Sequence, residues 1–398
     1  MELVAKHVDV VSLASDLVGI RSDPPDHPEQ AVADYLKELF SKHGLAYIDQ
    51  PTPLGKERQN LLVVSEDIDA TANLPSHRNG LLFSAHMDVV PPGDEGSWIN
   101  GETGPWIDDG RLHGRGATDM KGGMAACIAA FLAIKERNLM EKSQGKLIGL
   151  LFTVDEEMTM TGAKTFANSP LARHFGNIIL PEPTLLKPMR AHKGYLFARF
   201  TVKGKAAHGS VPERGINAIK LAMRLYSCIE SQFEIDRQNH MHSVLGPPTI
   251  NLGVFKGGER PNVVPDSCTF CIDRRITEGE DPEAIVKSLV AITRDFKRPD
   301  IATIECKIIN KQPPYIIDEK NVLLGFLTGM LGPAEVMHGY TEAGIYANYA
   351  GIPTVILGPG SIDGAHVANE MIAIEDLEKA ANIYETIMLQ YLEGKIQA

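Results

Sequence analysis

The stretch Leu81-Leu82-Phe83-Ser84-Ala85-His86-Met87-Asp88-Val89-Val90 decides how the chain is read. It opens on an apolar run of the kind a fully buried strand shows, and Pro91-Pro92-Gly93 breaks it. His86 and Asp88 stand two apart, so on a strand their side chains leave by the same face. An imidazole is a common metal ligand, and a carboxylate beside it orients the ring or takes a catalytic part. Alone, the pair reads equally well as a hydrogen-bonded cap on a core strand.

The pattern recurs outward from there. The apolar run 146–154 ends in Asp155-Glu156-Glu157, three acids whose mutual repulsion is costly unless water or a cation offsets it. The run 177–180 ends in Pro181-Glu182-Pro183, and 353–357 ends in Gly358-Pro359-Gly360, followed by His366 and Glu370. Asp119 sits among glycines in 114–123, ahead of an apolar helix from Met124 to about Glu136; as a lone residue it reads as a helix cap. Helical spacing marks 8–20, 28–43 (stopped by Gly44) and 374–392, whose Glu375 and Asp376 suit a helix start. Leu61-Leu62-Val63-Val64 is a strand, 66–80 a polar loop, and 93–118 a long surface loop with His113 as filler. Apolar strands separated by helices give an α/β sheet, and ligands bind at the carboxyl ends of such strands. Separate caps and solvated acids would have to produce the same coincidence several times.

From residue 190 the texture changes. Residues 196–202 alternate as a half-exposed strand does. Strands at 249–255, 267–276 and 304–309 and helices at 215–233 and 281–296 make an α+β module of roughly 120 residues, a plausible domain size. The expected organisation is 1–189 and 313–398 as one domain, with 190–312 inserted.

Composition narrows the class. The chain has 398 residues, 43% hydrophobic and 23% charged, and a formal net charge of −12. Phosphate binding needs clustered Lys and Arg, so a nucleic-acid partner is not expected. No run of spanning length and no signal-peptide pattern is read from the sequence. Five cysteines, an odd number, fit a reducing compartment and a cytoplasmic location. Cys268 and Cys271 fall three apart on a strand, facing opposite ways, which excludes a shared metal there. His240-x-His242 lies in a polar connector and reads as solvated.

Two imidazoles and several carboxylates without cysteine suit zinc, manganese or cobalt, with zinc the default. Two such ions about 3.5–4 Å apart hold a hydroxide between them and polarise a carbonyl, and a free carboxylate moves the proton. Of the adjacent Glu156 and Glu157, one can ligate and the other serve as base.

The segments Ser84-Ala85-His86-Met87-Asp88, Gly114-Arg115-Gly116-Ala117-Thr118-Asp119-Met120-Lys121-Gly122, Thr153-Val154-Asp155-Glu156-Glu157 and Pro181-Glu182-Pro183-Thr184 occur in one order with three more. These are Ala207-His208-Gly209-Ser210, Asn262-Val263-Val264-Pro265 and Ala365-His366-Val367-Ala368-Asn369-Glu370; Thr341-Glu342-Ala343 bears on the branch. In this order the chain resembles the dinuclear-zinc exopeptidases and deacylases that include acetylornithine deacetylase, succinyl-diaminopimelate desuccinylase and glutamate carboxypeptidase, and the acetylornithine deacetylases most. Pro181 departs from that branch, which has Gly before the ligand Glu.

The resemblance implies a zinc-exopeptidase-like catalytic domain, a central mixed sheet flanked by helices, with an inserted α+β lid and dimerisation domain. It implies two divalent ions, zinc or cobalt: His86 and Glu182 on one, Glu157 and His366 on the other, Asp119 bridging. Asp88 would orient a ligand imidazole and Glu156 would be general base, then acid. His208 would bind the substrate carbonyl, Asn262 and Arg275 the rest of the substrate, with Arg275 preferred over Arg274 for a carboxylate. The implied reaction splits N-acetylornithine into ornithine and acetate, within arginine biosynthesis, in a homodimer joined through the lid. A desuccinylase, a dipeptide-cleaving carboxypeptidase and a metal-free binding protein on the same fold are the alternatives.

Overall fold

The computed structural model describes residues 8–65, 79–99, 103–140, 146–241, 243–296 and 303–396. Most of the loop expected over 66–80, and His242, lie outside them. The chain forms two compact units, one of Met1–Arg190, Ile317–Met337 and Thr341–Ala398, the other of Ala191–Ile316 and His338–Tyr340.

The first unit begins with α1 (Val10–Gly19), α2 (Gln30–Lys42), β1 (Tyr47–Gln50), β2 (Asn60–Val64), β3 (Gly80–His86), β4 (Trp106–Asp108) and β5 (Arg111–His113). Then come α3 (Gly122–Glu136), β6 (Ile148–Thr153), α4 (Thr161–Ala167), β7 (Phe175–Leu180) and β8 (Met189–His192), whose second half belongs to the other unit. That unit continues through β9 (Gly194–Lys203), β10 (Ala207–His208), α5 (Ala218–Asn239), β11 (Thr249–Gly257), β12 (Val263–Val264), β13 (Ser267–Ile276), α6 (Pro282–Phe296), β14 (Thr303–Gln312) and β15 (Tyr315–Ile316). The first unit resumes with α7 (Val322–Leu331), β16 (Glu335–Met337), the single turn α8 (Ala343–Ile345), β17 (Thr354–Ile356), β18 (Met371–Ala373) and α9 (Ile374–Leu392).

In the first unit the strands form a mixed sheet in the order β1-β2-β6-β3-β7-β17. β2 runs antiparallel to β1 and β6, whereas β6, β3, β7 and β17 are parallel. A parallel strand covered on both faces reads as an unbroken apolar run, and every residue of β3 and β6 is buried. Being parallel, these strands end at one edge. His86 closes β3, the 155–157 acids follow β6, Glu182 follows β7, and His366 lies on the segment after β17.

α3 is apolar all round, its residues from Gly122 to Ile134 buried, and it packs against α1 and α9. Contrary to the sequence expectation, Ala117–Glu136 is long and apolar enough to cross a membrane, but that window is wholly buried. It is a core helix. A Cβ on Gly123 would stand 2.1 Å from the Pro181 carbonyl oxygen, so the backbone of the residue before Glu182 would have to move. Gly123→Ala is expected to destabilise by about 1–3 kcal/mol, the usual cost of overpacking. Gly325→Ala, on α7 with open space around its Cβ, should instead stabilise by about 0.5–1 kcal/mol. Denaturant melts of the two variants check the contrast; equal shifts would refute it.

The second unit is a four-stranded antiparallel sheet, β11-β13-β9-β14. The alternation read from the sequence appears as alternate burial: Leu196, Ala198, Phe200 and Val202 face α5 and α6, packing with Leu225, Ile229, Ile285 and Leu289. Cys268 is buried and Cys271 half-buried, and both thiols are free. His240 is half-buried just past α5.

The loop reading is also corrected. The long surface loop at 93–118 contains β4 and β5, which pair with each other and, through β5, with β18. Three-residue strands are too short for hydrophobic periodicity to register. The turn between them, Asp109-Gly110, has both residues left-handed, a tight-hairpin signal the sequence carried. His113 is not filler: it is buried and stacks on Trp106, with ring centroids 4.9 Å apart and planes 5° apart.

Candidate metal centre

Five donor residues meet at the carboxyl edge of the first unit's sheet. Asp119 stands at their middle, its two oxygens divided between two imidazoles. Oδ1 lies 3.1 Å from His86 Nε2 and Oδ2 lies 3.3 Å from His366 Nε2. Glu182 Oε1 stands 3.8 Å from His86 Nε2, and Glu157 Oε1 stands 3.0 Å from His366 Nε2. The donors therefore fall into two halves, His86 with Glu182 and His366 with Glu157, sharing Asp119.

The backbone is built to present them. Gly116 turns left-handed and Asp119 has extended backbone; the residue that caps α3 is Lys121, so Asp119 is not the helix cap. Glu370, left open by the sequence, is buried and holds this loop. It accepts from the amides of Thr118 (2.9 Å) and Asp119 (3.0 Å), and Arg115 Nη1 donates to it at 2.5 Å. His366 itself is left-handed (φ 62°).

Asp88 meets the His86 ring chiefly through its main chain. The His86 Nδ1 faces the Asp88 main-chain carbonyl at 2.9 Å, while the nearest carboxylate oxygen is 3.8 Å away. β3 ends at His86, so the two side chains do not continue the strand's alternation. The Asp88 carboxylate instead accepts from the amides of Glu156 (3.1 Å) and Glu157 (3.0 Å), fixing the acidic turn. Burial pushes the Asp88 carboxyl up to about 7.

The electrostatics are those of anions in want of a cation. Burial pushes Glu156 and Glu182 well above the usual carboxylate range, with Glu157 adding for the first and Asp119 for the second. Burial also acts on Asp119, but hydrogen bonds from His366 and His86 hold it well below that range. Hydrogen bonds to Asp119 and Glu157 lift the His366 imidazole to about 10. Among the described residues, the ion-pair partners of Asp119, Glu157 and Glu182 are these two histidines rather than a lysine or arginine. Carboxylate oxygens with imidazole nitrogens fit a divalent cation of zinc or cobalt type. His86, Asp119 and Glu157 offer ligand atoms all within 4.8 Å of one another.

Residues 82–390 match peptidase family M20/M25/M40. The chain belongs to that family. It is 30% identical to an acetylornithine deacetylase of Proteus mirabilis, over 92% of this chain and 91% of the relative. It is 28% identical to a probable succinyl-diaminopimelate desuccinylase of Staphylococcus epidermidis, over 98% and 99%. The fold matches an M20 metallo-carboxypeptidase of Sulfolobus solfataricus with a TM-score of 0.77 at 18% identity, covering 97% and 99%. As a member of the M20/M25/M40 peptidases, the chain is a hydrolase of amide bonds.

The three residues expected on the substrate side lie in the second unit. His208, exposed on β10, pairs with Val263, and its Nδ1 is 2.7 Å from the Ser210 hydroxyl. The amide of Gly209 donates to the Asn262 carbonyl, so His208 and Asn262 are neighbours. Arg274 is buried, bound to Asp236 (3.1 Å) and Glu280 (2.7 Å), and is committed to the unit's own structure. Arg275 is part-exposed and paired with Asp273.

Some residues near the site carry no role in the sequence reading. Glu342 is fully buried beside the site's strands, accepting from the Tyr346 hydroxyl (2.9 Å), which also contacts Ser84 (2.7 Å). Burial raises the Glu342 carboxyl. Glu29 and Arg58, in polar segments far from the acids, lock onto Asp155. No spacing signal marks either.

Proposed function

We propose that the chain is a two-metal deacylase that cleaves N-acetylornithine to ornithine and acetate, and we assign that reaction to arginine biosynthesis. The division of Asp119 between two imidazoles is the observation that supports it most, since one carboxylate then serves two cations. His86 and Glu182 would hold one ion, His366 and Glu157 the other, with Asp119 shared. When bound, such ions supply Lewis acidity toward an acyl carbonyl and toward water.

The chain's own residues handle the proton. Glu156, buried beside the donors, takes a proton from the attacking water as the C–O bond forms. It returns that proton to the amine nitrogen as the C–N bond breaks. From the second unit we assign His208 to the substrate carbonyl, and Asn262 and Arg275 to the amino-acid portion. Free thiols at all five cysteines accord with a reducing, cytoplasmic setting. We further assign a homodimer through the second unit: β11 is an edge strand with Val254 and Phe255 exposed, an arrangement that invites pairing.

A substrate panel with added zinc or cobalt tests the reading. The highest kcat/KM is expected on N-acetylornithine, with two ions per chain. Preference for N-succinyl-diaminopimelate, the second reading because of the 28% relative, or for dipeptides rejects the substrate. Fewer than one ion per chain and no stimulation by zinc would favour a binding protein.

Metal uptake by chelator-treated protein should also release protons. Hydrogen bonds to Asp119 and Glu157 keep the His366 imidazole protonated up to about 10, and a ligand imidazole must be neutral. Affinity should therefore rise with pH through the neutral range. Calorimetry in buffers of different ionisation enthalpy measures this, and a proton count of zero at pH 7 would contradict it.

A further inference from the structure

Three consecutive amides of the acidic turn each donate to a side-chain carboxylate. Asp155 N reaches Glu29 Oε1 (3.1 Å), and Glu156 N and Glu157 N reach the two oxygens of Asp88. Asp155 itself is left-handed, with φ 69°, a conformation that a non-glycine residue adopts only when its surroundings hold it. Its carboxylate is gripped on both sides. Arg58 Nη2 donates to Oδ1 at 3.2 Å, and the hydroxyls of Thr159 and Thr161 donate to Oδ2.

The guanidinium is what makes this arrangement possible. Glu29 is completely buried, and Arg58 binds it through two parallel bonds, Nε to Oε2 and Nη2 to Oε1, each 2.7 Å. The same Nη2 serves Asp155. Without that charge, two buried carboxylates would face each other at the foot of the turn, and Glu29 would lose the geometry in which it receives the Asp155 amide. Only a planar fork with several donors satisfies both at once.

We propose that Arg58 is a positioning residue for the general base. Acting through Glu29 and Asp155, it fixes the turn from which Glu157 goes to His366 and Glu156 stays free to carry the proton. This rests on Glu156 being the base, as assigned above. Arg58 touches no reacting atom.

The test uses Arg58→Lys, which keeps a charge but not the fork, and the double variant Arg58→Met/Glu29→Met. The double variant removes both ends of the ion pair together, a change buried pairs often tolerate. In chelator-treated protein, amide hydrogen exchange is expected to speed at least tenfold at 155–157, with 148–153 unchanged. In metal-loaded protein, kcat per bound ion on the substrate the wild type cleaves should fall at least tenfold, with KM within threefold. Unchanged exchange at 155–157, exchange that speeds equally along β6, or a kcat loss that merely follows lost metal overturns the proposal. Glu156→Gln run in parallel separates the two readings. If that variant turns over normally the assignment of the base fails, whereas the exchange data still decide whether Arg58 holds the turn.

Discussion

Asp119→Ala will bind fewer than one ion per chain, and turnover will fall by at least ~1000-fold, the equivalent of about 4 kcal/mol of transition-state stabilisation. Both halves of the site lose their shared ligand at once, whereas loss of His86 or His366 would damage one. The loop itself should survive, because Glu370 holds it by the amides of Thr118 and Asp119 and not by the side chain. A near-normal melting curve beside an empty site is thus the expected combination. Asp119 is also the largest cause of the raised His366 imidazole, so in chelated protein that histidine should titrate nearer the ordinary range in the variant. Metal analysis, a melt and an NMR titration give the three readings. Full metal content in Asp119→Ala would remove the shared-ligand assignment.

The second large effect separates two adjacent carboxylates. Glu156→Gln should keep both ions and lose at least ~100-fold in kcat, the low end of what a general base contributes. Glu157→Gln should lose metal first, since its carboxylate faces His366 at 3.0 Å. The pH profile adds a sign. A base works only when deprotonated, and burial pushes Glu156 upward, so wild-type activity should fall on the acid side as this group takes up its proton. That limb should be missing from the residual activity of Glu156→Gln. Wild-type turnover in Glu156→Gln, or equal metal loss in the two variants, would exchange or abolish the roles.

Much of this was legible because burial on two faces leaves an unmistakable trace in a parallel strand. The runs ending at His86, at Asp155 and at Glu182 became β3, β6 and β7, and the last helix, read over 374–392, is α9 with those bounds. Donors at the ends of parallel strands converge automatically, so their meeting follows from the strand order. Three kinds of feature left no such trace. β4 and β5 are too short to show a period. The Arg58–Glu29–Asp155 cluster joins positions 29 and 97 residues apart that are individually ordinary polar residues. The work of Asp88 depends on where the strand stops: at His86, two residues before the position a straight reading of the alternation requires, leaving its carbonyl to the ring and its carboxylate to the next turn.

The covering of α3 by α9 bears on how the polypeptide is made. Translation delivers α3 first, and the helix that shields it follows only after the whole second unit. Until α9 is made the growing chain displays a stretch of membrane-like apolarity, open to holdase chaperones and insertion machinery before its own partner exists.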